Sequence, residues 1–175
     1  IMAGLVGSEM CIRDSSMDTA LEPLRLANGP IIKSVTNLDG PPGIESQQDA
    51  DSAALQVINI IKRNNSADAF VIACFSDPGI YAAREVTNKP VFGIAESGIL
   101  TALSLGSSFG ILAILDTSVP RHIRYIRSLG LEKRLAGDLA IGLGVAELSD
   151  EKKAFRRLLE VGRKLRDNCE SSVLI

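Results

Sequence analysis

Short apolar runs alternate with longer segments of helical period along almost the whole chain, and few folds accept that order. Strands are expected at Ile31–Thr36, Ala69–Ala73, Val91–Ile94, Phe109–Leu115 and near Leu139–Leu143. Between them, helices are expected at Met17–Leu26, Glu45–Arg63, from Pro78, at Gly98–Leu105, at Pro120–Leu129 and at Asp150–Asp167. The second helix carries Ala50, Ala54, Val57, Ile58 and Ile61 at helical spacing, and Asn37–Gly43 before it is a glycine- and proline-rich loop. Strand and helix in strict alternation imply an α/β chain, a parallel sheet with helices on both faces. A break near Ser97 divides two similar halves, residues 16–97 and 98–175.

Composition narrows the function. The 175 residues suit one large domain or two small ones with a real core. With 19 basic against 21 acidic side chains the net charge is -2, which gives no electrostatic case for a nucleic-acid partner. Tryptophan is absent and aromatics are scarce, which argues against stacking platforms. No apolar stretch reaches the roughly 18 residues of a membrane span. Cys11, Cys74 and Cys169 are spaced too widely for a zinc site or a disulfide framework, so no metal is expected and a reducing, cytoplasmic compartment fits.

Both ends read as unusual. Residues 1–15, I-M-A-G-L-V-G-S-E-M-C-I-R-D-S, have glycines and charges that interrupt any strand or helix period, and they lack the marks of a targeting segment. They are read as a non-native scar, which leaves Cys11 without a function. Ser171-Ser172-Val173-Leu174-Ile175 begins a strand-like run and stops, as a fragment would.

Two loops carry chemistry. In Val71-Ile72-Ala73-Cys74-Phe75-Ser76-Asp77-Pro78-Gly79 an apolar strand ends at a cysteine, and Asp77-Pro78 reads as an N-cap with proline in the first helical position. Cys74 then lies at the carboxyl end of a strand, where open α/β sheets bind ligands. A free thiol has a pKa of about 8.5, and helix-terminal amides favour its thiolate. A small core residue at a strand end is the competing reading of Cys74. In Leu115-Asp116-Thr117-Ser118-Val119-Pro120-Arg121-His122 a second strand runs into a polar loop, and Thr117 and Ser118 read as the counterparts of Cys74 and Ser76. Their hydroxyls suit either an ordinary N-cap or a grip on a carbonyl or carboxylate.

Five motifs in order, P-P-G-I-E-S at Pro41, C-F-S-D-P-G at Cys74, G-I-A-E-S-G at Gly93, S-V-P-R-H at Ser118 and R-L-A-G-D at Arg134, resemble the hydantoin and allantoin racemases of the aspartate/glutamate racemase superfamily. The resemblance spans about Met17 to Ile175. It implies two pseudo-symmetric Rossmann-like halves with parallel sheets flanked by helices, the first and last strands incomplete here, and an active site in the cleft between the halves. It also implies a cofactor-independent racemase of cyclic ureides, with two cysteines on opposite sides of the substrate's stereocentre. Cys74 matches the first cysteine. The amides around Phe75 and Ser76 and the hydroxyls of Thr117 and Ser118 match positions expected to hold the ring.

The departures from the family are specific. Its opening strand ends in an asparagine-proline-asparagine loop, which the scar replaces here. Its second cysteine lies in a leucine-glycine-cysteine-alanine-glycine turn after the strand that aligns with Val173–Ile175, so it falls beyond Ile175, and the chain as given is expected to be inactive. Cys169, at a helix end outside any glycine turn, does not stand in for it.

Other polar residues have plainer readings. His122 reads as a solvated or capping side chain in preference to an anion ligand. Arg121, Arg124, Arg127, Lys133 and Arg134 read as a solvated helix face or a contact surface for a homo-oligomer. Glu45 and Glu96 each read as a charge at a helix N-terminus, and Pro41-Pro42-Gly43 as a turn. Two alternatives to a ureide racemase stay open: a single-cysteine superfamily relative, decarboxylase or cis-trans isomerase, and a non-catalytic binding domain.

Overall fold

The computed structural model describes residues 2–8, 21–24, 29–37 and 39–175, the first range as backbone alone. Cys11 lies outside them, as does most of the helix expected at Met17–Leu26, whose described part holds a short 3-10 turn, Glu22–Leu24. The chain divides into two compact units, Ile1–Glu96 and Ser97–Ile175.

The first unit runs β1 (Met2–Ser8), β2 (Ile31–Asn37), α1 (Gln47–Arg63), β3 (Ala69–Ile72), α2 (Ile80–Val86), β4 (Val91–Gly93) and the first turn of α3 (Ile94–Leu105). All four strands are parallel, in the order β2-β1-β3-β4. One expectation is corrected here: residues 2–8, read as unable to hold a strand period, form the backbone of a central strand. A ladder uses backbone N–H and C=O groups, which glycine supplies as well as any residue, so side-chain period is a poor guide to a strand flanked on both edges. The core forms where Phe70 and Ile72 of β3 meet Val57 and Ile61 of α1, Ile80 and Ala83 of α2, and Val91. Each large side chain fully buried there contributes about 1.5–3 kcal/mol. Ala53, rather than the expected Ala54, is the fully buried alanine in the middle of α1.

The second unit holds β5 (Phe109–Ala113), α4 (Val119–Ser128), β6 (Leu135–Ala140), α5 (Glu151–Asn168) and β7 (Val173–Leu174). Its strands are parallel in the order β6-β5-β7. The strand expected at Leu139–Leu143 begins instead at Leu135 and ends at Ala140. Ile141, Gly142 and Leu143 donate their amides to the Ala113 and Ile114 carbonyls at 2.8–3.0 Å, and Gly142, at φ 72°, turns the chain out of the ladder. Ile141 and Leu143 then pack with Ala154 and Val161 of α5.

The two sheets share one topology. In each, a central strand (β1, β5) is followed by a strand on one side (β2, β6) and then by one on the other (β3, β7). Each sheet thus has a switch point beside its central strand, and ligands of open α/β sheets bind at the carboxyl ends there. Among the described residues no helix is long and apolar enough to cross a membrane.

Candidate active site

Cys74 stands two residues past the end of β3, at the switch point of the first sheet. The turn after it closes when the Asp77 amide donates to the Cys74 carbonyl at 2.9 Å, and the Ile80 amide donates in turn to the Asp77 carbonyl at 3.1 Å. Helix α2 begins only at Ile80, with Gly79 as its N-cap in the left-handed region at φ 72°. Asp77 and Pro78 therefore do not start this helix as expected. The chain needs Gly79 there, because a Cβ would press on Ala54 of α1 at 3.0 Å in a backbone conformation that side chains disfavour.

Asp77 caps a different helix. The residue is 3% exposed; its Oδ1 accepts from the Ala95 amide at 3.0 Å and its Oδ2 from the Glu96 amide at 2.8 Å. These are first-turn donors of α3 that no residue within that helix can satisfy. A Cβ on Gly93 would overlap the carboxylate, which is why the strand-to-helix junction G-I-A-E-S-G opens on glycine. Two of the five motifs thus interlock through one side chain. Asp77 itself sits at φ 41°, one of two non-glycine residues at positive φ among those described. Such a conformation is uncommon for L-residues, with Asp and Asn among those that tolerate it.

A third motif packs on the thiol. Cys74, half-buried, packs against the cluster formed by Ile44 of P-P-G-I-E-S with Ala50 and Ala53 of α1. Ile44 is placed by a capping box: the Asp49 amide donates to Ser46 Oγ at 3.1 Å and the Ser46 amide to Asp49 Oδ2 at 2.9 Å. Phe75 and Ser76 are half-buried beside Cys74. Glu96 is held by Arg84 Nη1 at 3.2 Å, and the Arg84 guanidinium also donates to the Val91 carbonyl, so Glu96 is a partner of Arg84 as well as a residue of the first turn of α3.

In the second unit, β5 leads into a 3-10 turn, Asp116–Ser118, that passes directly into α4. Strand order changes the expected correspondence: β5 occupies the place of β1 in its sheet, so Thr117 and Ser118 follow the central strand, whereas Cys74 follows the place that β7 takes. Thr117 is exposed. Ser118 is 1% exposed, makes no capping bond with its side chain, and accepts from Arg121 Nη2 at 3.4 Å.

Arg121 and His122 are each 8% exposed, so neither belongs to a solvated helix face. His122 Nδ1 and Asp138 Oδ2 share a hydrogen bond at 2.9 Å, across from the first turn of α4 to the middle of β6, where Asp138 pairs with Ile111. Burial of a carboxylate in a strand requires such a partner. The signal was present in R-L-A-G-D-L-A, where one charge interrupts an apolar strand. Two further arginines of the basic stretch are engaged within the second unit. Arg127 Nε donates to Glu132 at 2.7 Å, and that hydrogen bond holds the Glu132 carboxyl below its ordinary range. Arg134 donates to the carbonyls of Ser107 and Gly106.

Cys169 is the C-cap of α5, and a Cβ on Gly137 would meet its sulfur at 3.1 Å. It precedes β7 and so lies at the amino ends of the strands, opposite the end from which the 116–118 loop emerges. Cys74 with Phe75 and Ser76, and Thr117 with Ser118, are each built within their own unit.

A family model described as Asp/Glu/Hydantoin racemase matches residues 15–175. The chain is 36% identical over 140 residues to a hydantoin racemase of Pseudomonas sp. (strain NS671), covering 77% of this chain and 56% of that protein. It is 34% identical over 174 residues to a hydantoin racemase of Paenarthrobacter aurescens, covering 95% and 72% respectively. Its fold is similar to that of an allantoin racemase from Klebsiella pneumoniae, with a TM-score of 0.77 at 25% identity over 99% of this chain and 81% of that one.

Proposed function

The chain belongs to the Asp/Glu/Hydantoin racemase family, and on that premise we propose that it serves a cofactor-independent racemase of cyclic ureides, hydantoins or allantoin, with Cys74 as one of two acid/base groups. The observation that carries this reading is the shared sheet topology. Cys74 follows β3, and the equivalent place in the second sheet follows β7; Ile175, just past β7, continues its line, with its amide donating to the Gly110 carbonyl at 2.9 Å and its carbonyl accepting from the Leu112 amide at 2.8 Å. The second thiol of the proposal is assigned to the turn after that strand, in the place that Cys74 holds in the first sheet.

The chemistry follows from the substrate. The C5 proton of a hydantoin is acidified by the adjacent carbonyl. One thiolate takes that proton, and the C5–H electron pair moves into the carbonyl to give an enolate. The opposite thiol then delivers its own proton to the other face of C5, and the negative charge passes from one sulfur to the other. Backbone N–H groups at Phe75 and Ser76 are the assigned donors to the ring oxygens, where developing charge gains most from preset dipoles. Thr117 is the assigned hydroxyl from the second unit, with Ser118 and Arg121 fixing the loop behind it. The wide spacing of the three cysteines along the sequence suits a reducing, cytoplasmic setting.

The test uses the full-length protein with single enantiomers of a 5-substituted hydantoin and of allantoin in deuterated water. The expected result is loss of optical rotation with deuterium entering at C5. Ureide binding without exchange, or turnover of a dicarboxylic acid by decarboxylation or cis-trans isomerisation in its place, would contradict the proposal.

A further inference from the structure

We infer that Asp77 is a positioning residue for Cys74: its backbone amide closes the turn that carries the thiol, and its side chain locks that turn onto the first turn of α3. The kinetic arm of this inference rests on the racemase reading above.

The geometry is specific. The Asp77 amide donates to the Cys74 carbonyl at 2.9 Å, which fixes the turn from the inside. The residue is 3% exposed, and its two carboxylate oxygens accept from the Ala95 and Glu96 amides, 18 and 19 residues away in sequence. To do both, the residue takes φ 41°, and Gly93 gives up a side chain so that the carboxylate can fit. Helix capping alone requires neither concession, because a Ser, Thr, Asp or Asn just before α3 would cap it without strain. Position 93 holds glycine instead, and the cap comes from the thiol's own turn. Strain kept in this way marks a place where local geometry is set by its surroundings.

Asp77→Asn separates this role from simple folding. Asparagine tolerates positive φ as well as aspartate does, so the turn keeps its backbone preference. It loses one of two acceptors, and its NH2 group faces a helix amide that also donates. In the full-length protein, Asp77→Asn is expected to lower kcat for C5 exchange at least tenfold with KM within twofold. The rate of Cys74 alkylation by iodoacetamide, read by peptide mass spectrometry, is expected to change at least fivefold while the circular dichroism spectrum is kept. The alkylation rate needs no substrate, so it reports on Asp77 even if no ureide is turned over. Alkylation and exchange both within twofold of the parent would make Asp77 only a helix cap and overturn the inference. Should Asp77→Asn not fold, Asp77→Ser, which keeps one capping acceptor, carries the same comparison. Loss of the fold in both would make Asp77 a folding residue and overturn the inference equally.

Discussion

His122 Nδ1 lies 2.9 Å from Asp138 Oδ2, and the pair ties the first turn of α4 to the middle of β6 with both side chains buried. The loop holding Thr117 and Ser118 immediately precedes that turn. Truncating one member leaves a buried polar group without its partner, a loss of about 1–3 kcal/mol. Asp138→Leu and His122→Phe are each expected to lower stability by that amount. The double variant should cost less than their sum, with a coupling of about 0.5–3 kcal/mol, read from urea unfolding midpoints.

Gly93→Ala is expected to destabilise the chain by about 1–3 kcal/mol through overpacking, because the new methyl overlaps the Asp77 carboxylate. In an Asp77→Gly background that collision disappears, so the same substitution should cost at least twofold less. Equal costs in both backgrounds would count against the interlock of the two motifs.

Ser46→Ala removes the capping box at the start of α1. A loss of about 0.5–2 kcal/mol in thermal or denaturant unfolding is expected. Ser46→Thr, which keeps the acceptor, should recover most of it.

Glu132 is held below its ordinary pKa first by the hydrogen bond from Arg127. A depressed carboxylate favours the folded chain above its unfolded pKa, and that preference fades as pH falls through the folded pKa. Both partners are fully exposed, so stability is expected to change little in Arg127→Gln. What should change is the Glu132 carboxyl resonance, whose NMR titration midpoint moves up toward the ordinary glutamate value. An unmoved midpoint would separate the two side chains in solution.

Much of the fold could be read along the chain because parallel α/β units write their period plainly, as at α1 and α5. Boundaries slipped where long-range partners decide them. The strand expected near Leu139 starts earlier and takes in Asp138, whose side chain is partnered by His122, and α3 starts four residues before Gly98 because its cap arrives from Asp77. Strand order is not encoded in local pattern at all. The Thr117 loop therefore looked equivalent to the Cys74 turn, although β5 is the counterpart of β1. The place of Cys74 just past a strand's carboxyl end was legible, since an apolar run that ends in cysteine, small polar residues and glycine describes a strand end. The lone charge in R-L-A-G-D-L-A hinted at a buried Asp138, but its partner His122 and the Asp77 clamp were not legible, because each contact joins residues 16 to 19 positions apart.

The most direct test compares Cys74→Ser with Cys169→Ser in the full-length protein, following inversion of one hydantoin enantiomer by chiral chromatography and deuterium entry at C5 by mass spectrometry. With Cys74 as an acid/base at the stereocentre, Cys74→Ser loses inversion by about a thousandfold or more, on the scale that general acid–base groups contribute. Cys169→Ser, at the opposite end of its sheet, inverts within twofold of the parent rate. Inversion at the parent rate by Cys74→Ser would contradict the assignment and remove this thiol from the reaction.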